Sequence, residues 1–332
     1  MLTLSTTIEA VPGAVVVGRV LNDKNAYNQL EDIHGRMSAL QSGDLVVGAL
    51  GHRNALQGYE GVMPKKVKAG QTLNMLNLGG VIGECVSHNP DVGPPFDLEI
   101  LGQVLVFPDF NSRVGKHATI AMHALAGVPD AAPVPVVYIA GTCMNAGKTA
   151  AACALVRRLT KAGYRVGGCK LTGVSLIRDI LAMKDYGAEW VHDFTDAGVV
   201  CSNETTSVKT AQIVFSELAA KGADLIIAET GDGIMGEYGV QAILAHPELM
   251  SHSAAFVLCA NDPVGVAGAI ADLRDHYGIT VDIVTGPATD NQVGTRFVEN
   301  AFGVRAINAR TRAAEFGEAV AERVAARLGR SA

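Results

Sequence analysis

The chain is poor in aromatic rings. One Trp, seven Tyr and nine Phe make up 5% of its 332 residues. Hydrophobic residues still reach 48%, too large a share for an intrinsically disordered chain, so the core must be mainly aliphatic. Long apolar runs are also missing. Stretches such as 254–260 fall far short of the ~20 residues that cross a bilayer, so no membrane association is expected. The opening MLTLSTTIEAVPGAV has no basic segment ahead of an apolar one. It does not resemble a signal peptide, and a cytoplasmic location is expected.

Positive charge is not in excess either. The net charge is −6; residues 1–132 hold 9 basic and 12 acidic residues and the remainder 18 and 21. With no basic domain to neutralise phosphates, a nucleic-acid partner is excluded. The six cysteines (Cys85, Cys143, Cys153, Cys169, Cys201 and Cys259) form no CxxC pair and no Cys/His ligand spacing. That argues against structural zinc and a disulfide framework, and for a reducing compartment. What the chain does have is glycine, 37 residues of 332, against a usual share of about 7%. No G-X-Y period accompanies it, which excludes collagen, and no internal repeat is evident.

At ~150 residues per domain the length suggests two domains, and the grammar of the sequence changes near residue 130. Residues 1–130 read as a β-rich domain, a barrel or a sandwich, with strands over 15–20, 44–50, 81–86 and 98–106 and a connecting helix over 114–126. The proline-rich DAAPVPVV marks the boundary. Residues 131–332 alternate strands (134–140, 164–170, 224–228, 254–260, 281–285) with helices (148–162, 176–187, 207–221, 264–276, 311–328). Such alternation implies an α/β fold: a mostly parallel sheet with helices on both faces, which binds ligands beyond the carboxyl ends of its strands.

The strongest chemical signal follows the first strand of that half. Gly141, Thr142, Cys143, Met144, Asn145, Ala146, Gly147, Lys148 and Thr149 form GTCMNAGKT between a strand and a helix. Backbone amides of such a loop cradle a polyphosphate, Lys148 reaches its β and γ phosphates, and the Thr149 hydroxyl faces Mg²⁺. Five residues, rather than the usual four, separate Gly141 from the Gly147-Lys148 pair. A second strand, in GADLIIAETGDG, delivers Glu229 to its carboxyl end just before a glycine-rich loop, where a carboxylate can hold Mg²⁺ directly or through water. Asp232 is a weaker candidate for the same work. Lys170 ends the strand before LTGVS, where an ammonium could hold an acceptor or the transferring phosphoryl group.

These motifs resemble those of dethiobiotin synthetase and its relatives in the SIMIBI class of P-loop proteins, over roughly residues 134–310. The resemblance implies ATP and Mg²⁺ as cofactors, Lys148 and Lys170 as catalytic residues, and Thr149, Asp179 (in RDILAM) and Glu229 as metal ligands. It also implies an adenine contact from Asn261 in CANDP, and a homo-oligomer. The family carries acidic residues where this loop has Cys143 and Asn145. A β-rich domain ahead of such a half is similar to a P-loop family that includes a D-glutamate N-acetyltransferase. That family's loop has Met after Lys, whereas this chain retains the Thr149 hydroxyl.

Three functions are therefore weighed. The leading one is an ATP- and Mg²⁺-dependent phosphoryl-transfer enzyme, kinase or ligase in type, that activates a small molecule such as a carboxylate or carbamate. The second is an acyltransferase whose loop binds the phosphates of acetyl-CoA. The third is a nucleotide-driven switch or metallochaperone, although CANDP does not match the guanine-reading NKxD and Cys/His metal ligands are lacking. Among smaller features, Asp193 and Asp196 in HDFTDAG read as turn acids in preference to supporting acids at the mouth of the active site, and His192 as structural. Cys143 reads equally as a nucleophile or a packing thiol. Arg53 in GHRNALQGYEG reads equally as reaching over the nucleotide or as part of an exposed hairpin.

Overall fold

Alternation along Phe96–Val106 sends Phe96, Leu98 and Ile100 to one buried face. This is the period of a strand with one side in a core. The computed structural model describes residues 2–109, 111 and 113–329. Their contacts divide into two units: 1–125 with 174–178 and 195–202, and 126–173 with 179–194 and 203–332.

The first unit holds β1 (Thr3–Ser5), β2 (Val15–Val20), β3 (Gln29–Glu31), β4 (Met37–Ala39), β5 (Leu45–Leu50), β6 (Arg53–Asn54), β7 (Tyr59–Val62), β8 (Thr72–Met75), β9 (Val81–His88), β10 (Phe96–Val106) and β11 (Lys116–His117). Pairings run β10–β2, β2–β5, β5–β9, β9–β8 and β8–β10. The ring closes, making a five-stranded barrel with no free edge among those strands. Only β5–β9 is parallel. Val16, Val20, Val46, Leu50, Leu73 and Ile82 join Phe96, Leu98 and Ile100 in its core, each burial worth about 1.5–3 kcal/mol. The helix expected over 114–126 is not formed. Lys116 and His117 instead pair with Val106 and Leu105, Thr119 bridges to Ala14, and only a short 3₁₀ turn follows at Ile120–His123. Here pairing with distant strands outweighs local helical periodicity.

The second unit holds β12 (Val136–Gly141), α1 (Lys148–Lys161), β13 (Val166–Lys170), α2 (Arg178–Asp185), β14 (Trp190–Asp193), α3 (Ser207–Ala220), β15 (Leu225–Glu229), α4 (Val240–Leu244), α5 (Pro247–Ser251), β16 (Ser253–Cys259), α6 (Pro263–Tyr277), β17 (Ile283–Thr285), α7 (Gln292–Phe302), β18 (Arg305–Ala306) and α8 (Ala313–Leu328). Arg178, the first residue of α2, is grouped with the first unit. The sheet order is β14-β13-β15-β12-β16-β17-β18, and every pairing is parallel. Successive β12 side chains serve opposite faces. Val136, Tyr138 and Ala140 enter a core with α3 and α6, while Val137 and Ile139 enter one with α1 and α8. This α/β architecture, preceded by a β-rich unit, is the one the sequence predicts. Among the described residues no helix is long and apolar enough to cross a membrane.

Candidate functional site

The central strand β12 is buried throughout and ends at Gly141, from which the chain turns through residues 142–147 into α1. Gly147 caps that helix at φ +93°, a left-handed conformation that favours glycine. The loop is braced from beneath by Gly286, at φ +94°. A Cβ there would lie 2.4 Å from the Ala146 carbonyl oxygen, so a larger residue would displace the loop. Asn145, at φ +60°, holds the same region without being glycine.

Lys148 is only 6% exposed. Its Nζ donates to the Cys143 carbonyl at 2.8 Å, so the ammonium arches back over the loop. Its stem passes Gly141, where a Cβ would sit 3.0 Å from the lysine Cδ. The next residue, Thr149, donates from Oγ1 to Glu229 Oε1 at 3.2 Å. Asn261 Nδ2 lies 3.0 Å from Cys143 Sγ, and the Cys143 thiol is half-buried.

Strand register assembles the remaining charges. Lys170 stands opposite Glu229 on β15 and opposite Asp193 on β14. All three end their strands and all are buried. Lys170 forms an ion pair with Asp179, near the start of α2. Burial lowers the affinity of the Lys170 ammonium for its proton. Asp179 foremost, then Glu229 and Asp193, outweigh that and hold its pKa above the ordinary lysine value. Glu229 is displaced upward because burial outweighs the attraction of Lys170, Lys148 and the Thr149 hydrogen bond, with Asp179 adding to the rise.

Glu229 Oε2 is buried and has no hydrogen-bond partner. A buried carboxylate oxygen without a donor is costly. Beside the Thr149 hydroxyl and the 141–149 loop, it fits the all-oxygen ligand set of Mg²⁺. No group of three or more His, Cys, Asp or Glu suited to a metal exists among the described residues. A Mg²⁺ ion held partly by phosphates and water does not require one.

The structure thus brings together Lys148, Thr149, Glu229, Lys170 and Asp179. It closes Asp179 onto Lys170 and leaves Asn261 against the Cys143 sulfur. Asp193 proves to be a strand-end residue rather than a turn acid. His192 Nε2 lies 2.6 Å from Lys221 Nζ. In the first unit, Arg53 is buried and not part of an exposed hairpin. Its guanidinium donates to Tyr27 Oη at 2.9 Å and to the Leu76 carbonyl, beside the rings of Tyr27 and Tyr59.

No family model matches the chain, and no curated protein matches it at a significant level. Among solved structures it is similar to chloroplast FtsY of Physcomitrella patens, at 12% identity, covering 60% of this chain and 70% of that one with a TM-score of 0.41. It is also similar to the signal recognition particle 54 kDa protein of Aeropyrum pernix K1 in complex with GDP (18% identity, 63% and 50%, TM-score 0.37). A third is a LAO/AO transport system kinase (15% identity, 64% and 64%, TM-score 0.38).

Proposed function

We propose that this chain is a Mg²⁺-dependent P-loop nucleoside triphosphatase of SIMIBI type, cleaving the terminal phosphoanhydride of a nucleotide held on the 141–149 loop. The observation that carries the reading is the unpartnered Glu229 oxygen beside the Thr149 hydroxyl. Thr149 and Glu229 would hold Mg²⁺, directly or through water, and the ion would supply Lewis-acid neutralisation of phosphate charge. Lys148 and the loop amides stabilise the charge that grows on the transferring phosphoryl group. That reaction rests on positioning and electrostatics, so a separate strong base is not required. ATP is the proposed nucleotide, on the match of Asn261 to an adenine contact.

A nucleotide-driven switch is favoured over a ligase or kinase by one observation: Lys170 is closed onto Asp179 instead of being presented to an acceptor. In the transfer reading Lys170 must leave Asp179 to position a carboxylate or carbamate, and a homo-oligomer is part of that reading. The acetyl-CoA reading draws support from a loop without acids. It is disfavoured by Glu229, whose negative charge repels phosphates unless a cation intervenes, and by the Thr149 hydroxyl that faces it. Calorimetry with ATP·Mg²⁺, GTP·Mg²⁺ and acetyl-CoA, followed by phosphate-release assays, separates the three. Slow release indifferent to added metabolites supports the switch, and acceptor-dependent release supports transfer. Tight acetyl-CoA binding without nucleotide binding overturns both.

A further inference from the structure

A groove of about 720 Å³ runs along the outer side of α1, within the ~300–1,000 Å³ range of small-molecule sites. Residues 149, 153, 157 and 161 follow one another at helical spacing along it, which gives a length of about 18 Å. Ala150, Cys153, Ala154 and Ala309 line its apolar part. Burial pushes the Cys153 thiol up to about 11, with Glu229 adding to the rise, so this part stays uncharged at neutral pH.

The charge of the groove is one-sided. Arg157, Arg158, Lys161 and Arg310 line it and no Asp or Glu does, in a chain whose net charge is −6. Arg158 is satisfied by Glu318. Arg157, Lys161 and Arg310 make no ion pair among the described residues. The groove begins at Thr149, directly after the phosphate-loop lysine. Arg310 also borders a smaller cavity of about 50 Å³ beside Asn145 and Gly147.

We propose that this groove is a second ligand site, taking an amphiphilic organic anion. Its aliphatic or aryl body lies over the alanines, and its carboxylate or phosphate is held by Arg157 and Lys161. Small side chains leave room for the body, and unopposed cations on exposed helical positions select the sign of the head group. The groove shares Thr149 with the proposed nucleotide site, but its cations lie outside the 141–149 loop, so the test is made without nucleotide.

The test titrates sodium decanoate, and decylammonium as its cationic counterpart, into the full chain without nucleotide. Isothermal calorimetry gives the affinity and sedimentation gives the oligomeric state. One decanoate site is expected, with no decylammonium binding. R157E combined with K161Q should weaken decanoate by about tenfold or more, as expected from removing two charge contacts. A314F, at an exposed position of the groove wall, should block it while leaving every charge in place. Circular dichroism melts verify that both variants fold, which the exposed positions of Arg157, Lys161 and Ala314 allow. Absence of decanoate binding, equal binding of the two probes, or decanoate binding unchanged in both variants overturns the proposal. A change of oligomeric state in R157E/K161Q without decanoate binding to the wild type also overturns it, and assigns the groove to a second copy.

Discussion

Glu229 titrates in a way that can be measured. Its folded pKa lies above its ordinary value of 4.5. Between those two values the folded chain holds a proton that the unfolded chain has lost, so stability falls as pH rises through the window. Glu229→Gln should remove that slope from urea midpoints collected as pH rises above 4.5. The same variant should lower Mg²⁺-dependent turnover by roughly 10²–10³-fold. Lys170→Met leaves Asp179, Asp193 and Glu229 with their shared cation gone. It should cost about 3–5 kcal/mol by chemical denaturation. Lys148→Ala should abolish nucleotide binding in calorimetry with the circular dichroism spectrum unchanged. Lys148, Thr149 and Glu229 were legible because each sits in a short local pattern of strand, loop and helix. The grouping of Asp193 with Lys170, and the closing of Lys170 onto Asp179, were not. Both depend on how separate segments come together, and no local window carries that information.

At the scale of elements, the loop is only as rigid as what lies beneath it. Gly286→Ala would place a methyl 2.4 Å from the Ala146 carbonyl at φ +94°. It should destabilise the fold by about 1–3 kcal/mol and weaken nucleotide binding, read by thermal melts and calorimetry. Asn291 caps α7, its Oδ1 accepting from the Val293 and Gly294 amides. Asn291→Ala should cost about 0.5–2 kcal/mol and leave nucleotide affinity unchanged. The β12–loop–α1 unit could be read from sequence because apolar strand, glycine loop and alanine-rich helix each follow their own period. Helix α7 was missed although Asn291 and Gly303 mark its ends, because its buried face is reduced to Thr295 and Val298. The short strands β6, β8 and β11 escape for a different reason. Two to four residues hold no period, and only their partners make them strands.

Over the whole molecule, neither unit is one continuous piece of chain. The first is completed by 174–178 and 195–202. There Asn77 donates to the Ser175 carbonyl at 2.6 Å, Glu31 accepts from the Ile177 and Arg178 amides, and Val200 packs with Leu76 and Val81. A fragment of residues 1–130 should therefore melt well below the corresponding transition of the full chain, or fail to fold, as followed by circular dichroism. This dependence also sets a schedule on the ribosome. The barrel strands lie within the first 106 residues, yet Ser175, which satisfies Asn77, and Val200, which covers Leu76, are made only 50 and 75 residues after Leu125. At ~5–20 residues per second the wait after Leu125 is roughly 4–15 s. Until Val200 is made the nascent barrel carries an apolar patch, and until Ser175 an Asn77 amide without its partner; it is the stage at which a chaperone would find the chain.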